Sequence, residues 1–168
     1  MEFELDKWRM NYSDDIVEHF RDRGLTEKMA EKIPQPFLRE HARHYIDQRM
    51  FNSEEKQYCR AIVCDGRAVG GIDVFIGRGV YSRSAEITIW VAPAYQNKHI
   101  GTGAIESLCK EVFTKYSIKR IFARVYSDDE ISCRLFAGAG FECEGVLRKS
   151  VLRNGELLDQ KIYAIVSD

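Results

Sequence analysis

The chain lacks the marks of a dedicated nucleic-acid binder and of a membrane-spanning protein. Its 25 Lys and Arg are offset by 26 Asp and Glu, for a net charge of −1. A nucleic-acid-binding domain carries a basic excess, so no nucleic-acid partner is expected beyond a local basic patch. No apolar run approaches the length of a bilayer span, and Met1-Glu-Phe-Glu has neither the basic nor the apolar region of a signal peptide. A cytosolic (cytoplasmic) placement without a membrane partner is expected. Pairing signals among the cysteines are also missing. Cys59, Cys64, Cys109, Cys133 and Cys143 are odd in number, and no two have Cys-x-x-Cys spacing. Free thiols, mostly buried, are expected rather than disulfides or metal ligands. His41 and His44 stand three apart in a helical pattern without a third ligand nearby, so no metal is expected. Neither repeat, low-complexity stretch nor linker breaks the 168 residues, a length suited to a single domain (1–168) with one substantial core.

What the chain does have is a strand, a polar turn and a helix in immediate succession. In Val91-Ala-Pro-Ala-Tyr-Gln-Asn-Lys-His-Ile-Gly-Thr-Gly103, an alternating apolar run ends at Pro93 and a helical stripe starts at about Ile100. The first turn of a helix carries unpaired N–H groups and about half a unit of positive charge. Such a terminus favours phosphate or pyrophosphate, and Gly101 and Gly103 would let a ligand approach the backbone. Lys98 adds a mobile positive charge. The loop is not a Walker A loop, because no Gly-Lys-Ser/Thr triplet opens the helix. Nor is it a good Rossmann fingerprint. Glu106 stands where the third glycine belongs, and no acidic residue closes a clear second strand at the expected distance.

Elsewhere, Phe3 to Trp8 reads as a short strand. Ser13-Asp14 can cap a helix from about Asp15, with Ile16, Val17 and Phe20 on its apolar side. Leu25 to Ile33 reads as a second helical piece stopped by Pro34 and Pro36, and Phe37 to Met50 as helical again. These pieces are expected to form a flap over one end of the sheet. Tyr58 to Cys64 and Ala68 to Ile76 are strands joined at Asp65-Gly66, a two-residue hairpin signal. In the strand Ser84 to Val91, Ala85, Ile87, Ile89 and Val91 alternate with Glu86, Thr88 and Trp90. Trp90 either walls an acceptor pocket or simply packs. After the Gly loop comes a 3.6-period stripe of Ile105, Leu108, Cys109, Val112, Phe113 and Tyr116. Arg120 to Tyr126 is a strand. Asp128 or Asp129 caps a short helix that Gly140 ends. Phe141 to Leu152 and Leu157 to Val166 form a hairpin across Asn154-Gly155. The order β-α-α-β-β-β-α-β-α-β-β mixes hairpins with a crossover, which implies a mixed α/β sheet.

Order and motif together resemble the GNAT superfamily of acetyl-CoA-dependent N-acetyltransferases. Motif A of that family, Gln/Arg-x-x-Gly-x-Gly/Ala, falls on Gln96-Asn97-Lys98-His99-Ile100-Gly101. His99 departs from it, since the family usually has its first glycine there. His99 must then present its N–H from a conformation open to a non-glycine residue. The similarity is strongest to the ribosomal-protein (Rim-type) and spermidine acetyltransferase branch. It is carried by Ala85-Glu-Ile-Thr-Ile-Trp-Val, Tyr95-Gln-Asn-Lys-His-Ile-Gly, Ser132 through Arg148, and Arg153 through Ala164, and so covers essentially the whole chain.

The resemblance implies a cofactor site for acetyl-CoA, with no metal. Backbone groups of Ile89 and Val91 would pair with the pantetheine arm, and the N–H of Ile89 or its neighbour would polarise the thioester carbonyl. Gln96, Asn97, Lys98, His99, Ile100, Gly101, Thr102 and Gly103 would hold the pyrophosphate. Asp129, Ser132 and Phe136 would lie along the cofactor. Glu86 is the base candidate, acting through water; the alternative is that it orders the cleft or pairs with an arginine. Ser132 is either the acid at the sulfur or a hydrogen bonder in a helix first turn. Phe136 stands where many relatives have a tyrosine acid, and Asp129 replaces a common asparagine. Val151 stands where the branch often has a glutamate, and Glu156 sits in the turn. Tyr126 and Tyr163 are alternative acids. The implied acceptor is a primary amine, either a protein or peptide N-terminus or a small molecule such as a polyamine or aminoglycoside. The assembly is read as a monomer or homodimer. Two other readings remain. One is a non-catalytic acyl-CoA-binding module, the other a nucleotide-phosphate binder of different fold.

Overall fold

The computed structural model describes residues 1–52 and 54–168. Among these, the strands form a seven-stranded mixed sheet. The chain divides into two compact units, Met1–Phe75 with Thr88–Ala104 and Ile76–Ile87 with Ile105–Asp168.

The first unit opens with β1 (Glu4–Asp6), followed by helices α1 (Ser13–Phe20), α2 (Arg23–Thr26) and α3 (Arg39–Met50). Strands β2 (Gln57–Cys64) and β3 (Arg67–Ile76) come next. β1 runs antiparallel to β2, with Leu5 opposite Ile62. β2 and β3 form the hairpin expected at Asp65-Gly66, both left-handed at φ 50° and 76°. The expected flap is instead a layer. Phe20, Phe37, Tyr45 and Ile46 from the helical segment share one buried cluster with Ala61 and Val63 of β2 and with Trp90. The helices lie on the strand face because their apolar stripes have nowhere else to be buried. The piece expected as a helix over Leu25 to Ile33 is a single turn, α2, followed by looser bonds such as Met29 N–H to Thr26 O at 3.2 Å. Met29 and Ile33 still pack against the cluster. Their four-residue spacing reports burial, not helical backbone. Trp90 is core: its Nε1–H donates to Tyr45 Oη at 2.9 Å, and its ring meets Phe20 edge-on at 4.8 Å.

Strand β4 (Ser84–Val91) and helix α4 (Ile100–Lys115) each begin in one unit and end in the other. The second unit holds the start of β4 with β5 (Arg120–Tyr126), α5 (Glu130–Gly138), β6 (Glu142–Arg153) and β7 (Glu156–Val166). Its strands run in the order β4-β5-β7-β6. β4 and β5 are parallel over Ser84–Glu86 and Arg120–Phe122, while β7 lies antiparallel to both β5 and β6. The Asn154-Gly155 turn is left-handed at both positions, φ 51° and 79°. Along β5, Ile121, Ala123 and Val125 are buried, whereas Phe122, Arg124 and Tyr126 are not. β6 carries two register breaks, one at Cys143/Gly145 and one at Leu147/Val151. At the second, Lys149 is left-handed and its N–H donates to Asp159 Oδ1 at 2.8 Å.

All five cysteines are free; Cys59, Cys64 and Cys109 are buried, Cys133 is half-buried and Cys143 exposed. His41 accepts from Leu38 N–H through Nδ1 at the start of α3. Among the described residues no group of three or more potential metal ligands occurs, and no helix is long and apolar enough to cross a membrane.

Candidate active site

The loop expected to hold an anion occupies Val91–Gly103 in the first unit. After β4, a turn at Pro93–Tyr95 leads into extended Gln96. Gln96 Nε2 donates back to Val91 O at 2.9 Å, so this side chain braces the loop across its base. Asn97 and His99 are both left-handed, at φ 58° and 60°. His99 O accepts the first helical bond, from Gly103 N–H at 3.0 Å. The N–H groups of Ile100, Gly101 and Thr102 therefore precede the helical ladder, as in any first turn. A left-handed residue followed by a helical one turns successive N–H groups to the same side, forming a concave anion site. His99 thus reaches the conformation that its non-glycine identity made demanding. Lys98 is exposed, its Nζ 5.4 Å over the Tyr95 ring. Gly103 has a packing reason to be glycine: a Cβ there would stand 2.8 Å from the Phe3 ring. On the same strand, Ile89 is half-buried and Val91 buried.

In the second unit the β4–β5 ladder reaches its last pair at Glu86 and Phe122. On the face carrying Phe122, Arg124 reaches back to Glu86. Arg124 Nε donates to Oε1 and Nη2 to Oε2, both at 2.8 Å. This bidentate pair is the arginine partner foreseen as one reading of Glu86. It holds the guanidinium's proton more firmly than usual, chiefly through the hydrogen bonds to Glu86. The Glu86 side chain is 24 % exposed and that of Arg124 48 %. Arg124 was not singled out by sequence. The signal was its parity in β5, which places it with Phe122 and Tyr126 on the incompletely covered face.

Asp129 caps α5. Its Oδ1 accepts from Ser132 N–H at 3.3 Å, and its Oδ2 accepts from Ser132 Oγ–H at 2.7 Å. The Ser132 hydroxyl hydrogen is directed at this carboxylate. Asp129 is buried, and its charge is directed at the N–H end of the helix, where it is favoured. Phe136 is buried between Phe141, edge-on at 5.2 Å, and Tyr163, stacked at 6.5 Å. Burial, followed by the Cys133 hydrogen bond, raises the Tyr163 phenol to about 12. The Arg153 guanidinium lies 4.6 Å over the Tyr126 ring and pairs with Asp128 at 2.6 Å. Val151 faces Leu158, and Glu156 pairs across the turn with Arg153 in register.

A mixed sheet whose fourth strand runs through a tight turn with two left-handed residues into a helix matches the class that the motif suggested. Residues 3–142 match the family model described as acetyltransferase (GNAT) domain. The chain belongs to the GNAT acetyltransferase family. It is 34% identical over 84 residues to the uncharacterized N-acetyltransferase YoaA of Bacillus subtilis (strain 168). That match takes in 50% of this chain and 48% of YoaA, so it spans about half the length of that relative. Among solved structures, the microcin C7 self-immunity acetyltransferase MccE, in complex with acetyl-CoA and AMP, superposes with a TM-score of 0.87 at 26% identity, over 99% of this chain and 93% of that one. The ribosomal-protein-S5-alanine acetyltransferase from Vibrio fischeri shares the fold, with a TM-score of 0.87 at 18% identity over 100% and 94% of the two chains.

Proposed function

We propose that this protein is an N-acetyltransferase that moves the acetyl group of acetyl-CoA to a primary amine by direct attack in a ternary complex. The observation that carries the reading is the concave loop of N–H groups at Gln96–Gly103, braced by Gln96 and opened by left-handed His99. A diphosphate is the group such a terminus favours. The end of the β4–β5 ladder at Glu86 supports the next step. Beyond it, backbone groups of Ile89 and Val91 would pair with the pantetheine arm, and an N–H there would polarise the thioester carbonyl. Asp129, Ser132 and Phe136 would lie along the cofactor.

Glu86 is the proposed base, taking a proton from the amine through water. Its bidentate pairing with Arg124 holds the carboxylate in a fixed orientation. Ser132 is the proposed acid, and to protonate the departing thiolate its hydroxyl must rotate away from Asp129. Those two engagements favour a second reading, a module that binds acyl-CoA without turnover.

An amine and N-terminal-peptide screen with acetyl-CoA, reading free thiol, separates the two. Glu86→Gln is expected to lower turnover at least about tenfold with acetyl-CoA affinity little changed, within the usual contribution of a general base. Unaltered turnover would remove Glu86 from that role. Binding of acetyl-CoA without turnover of any amine would favour the second reading, and calorimetry showing no heat with acetyl-CoA or free coenzyme A would overturn both.

A further inference from the structure

A guanidinium has two forks that match a carboxylate, one along its Nε–Nη2 side and one across its Nη1–Nη2 end. In Arg124 the first fork is filled by Glu86 at 2.8 Å on each arm. Of its five N–H groups, three remain, two on Nη1 and one on Nη2. None of the three has a hydrogen-bond partner among the described residues, and the side chain is 48 % exposed. Glu86 fixes the plane of the group, so the open fork is already oriented. By strand register its neighbours on that face are Phe122, two residues before it, Ile162 directly across the strand pair, and Gln160, across from Tyr126. Ser150 Oγ–H donates to Gln160 Oε1, which leaves the Gln160 amide nitrogen as a further donor on the same face. Both Glu86 oxygens are meanwhile occupied by a cation. The face therefore offers spare donors and no spare carboxylate at this position, the opposite of what a polyamine needs.

We infer that Arg124 determines acceptor specificity, and that the acceptor is an amine carrying a carboxylate close to the reacting nitrogen, such as a peptide with an acidic first residue. Its carboxylate takes the open end of the Arg124 guanidinium while its amine lies beside Glu86. This rests on the acetyltransferase reading and names its substrate class.

The test uses the full chain saturated with acetyl-CoA and a matched pair of peptide amides, Asp-Ala-NH2 and Asn-Ala-NH2, with spermidine as the cationic comparison. Binding is read by calorimetry and by the NMR signals of the Arg124 side chain, and acetylation by thiol release. The acidic peptide is expected to bind at least about tenfold more tightly than its amide twin and to move the Arg124 signals, in the range of a charge-assisted bidentate contact. Spermidine is expected to be weaker than the acidic peptide. In Arg124→Gln the two peptides should come within about twofold of each other, and Arg124→Lys, which keeps charge without the fork, should fall between. Unchanged acetyl-CoA affinity in both variants shows that they are folded. Equal affinity for the two peptides, binding of neither, or a preference that survives Arg124→Gln would each overturn the inference. Failure of acetyl-CoA itself to bind would sink the acetyltransferase reading instead.

Discussion

His99 stands at φ 60°, one residue before α4, where the GNAT motif usually has glycine. For an L-residue the left-handed region costs about 1–2 kcal/mol, because Cβ crowds the following carbonyl. Asn97, at φ 58°, bears this more easily, since asparagine is among the residues that visit the region routinely. Replacing His99 with glycine removes the crowding but frees the unfolded chain, and the two effects oppose one another. His99→Gly is expected to match or exceed the parent in unfolding free energy and to bind coenzyme A at least as tightly. His99→Val, β-branched and ill-suited to positive φ, is expected to lose about 1–3 kcal/mol and to bind more weakly. Urea unfolding and calorimetry on the two variants check this, and equal behaviour would show that the turn is not set by residue 99. At this scale the sequence made the loop legible, because a strand end, a polar turn and a helical stripe are local signals. It did not show that Gly103 answers to Phe3, or that Arg124 answers to Glu86. Those partners lie far away in the chain and meet only when the strands align.

Helix α5 is fixed at both ends by side-chain and backbone chemistry that acts over a few residues. Asp129 accepts from Ser132 at its start. At its end, Phe141 N–H donates to Phe136 O and Gly140 N–H to Ala137 O, with Gly140 left-handed at φ 86° and the two phenylalanine rings in contact. That is a Schellman ending with its hydrophobic contact. Asp129→Ala is expected to cost about 1 kcal/mol, whereas Asp129→Asn, still a good cap, should lose only a few tenths of that scale. Gly140→Ala is expected to cost about 1 kcal/mol or more through strain at positive φ. Denaturant midpoints of the three variants test this, and a neutral Asp129→Ala would mean the cap contributes nothing. The Asp-Gly and Asn-Gly hairpins were legible for the same reason as these caps: turn and cap chemistry is written in neighbouring residues. The extent of α2 was not, because Leu25, Met29 and Ile33 keep a helical spacing while packing from a turn. Nor was the break in β6, where the left-handed Lys149 is held from another strand by Asp159.

For the molecule as a whole, pH dependence above the carboxylate range has an identifiable source. His19 on α1 is half-buried, with Nε2 3.1 Å from Ala68 O and its ring 6.1 Å from that of Trp90. Burial holds its pKa below the ordinary value of 6.5, against the pull of Glu18, the Ala68 hydrogen bond and Asp15. As pH falls through 6.5, the unfolded chain takes up this proton first, while the folded chain keeps the imidazole neutral. The unfolded state then binds more protons, so stability rises with pH in this window. The His19 contribution is therefore complete above pH 6.5 and is lost progressively as pH falls from there to the lower folded value. His19→Gln keeps a donor for Ala68 O but removes the titration. Urea unfolding of the parent at about pH 7.5 and about pH 5.5 is expected to show a loss that the variant shows to a smaller degree, with the gap between the two chains closing toward acid. A parallel loss in both would place the pH dependence elsewhere. Because His19 joins α1 to β3 and its ring lies 6.1 Å from that of Trp90, its protonation is expected to loosen the buried layer beside the end of β4, from which the proposed cofactor loop departs. Coenzyme A binding by the parent is accordingly expected to weaken over the same pH window, and more than in His19→Gln.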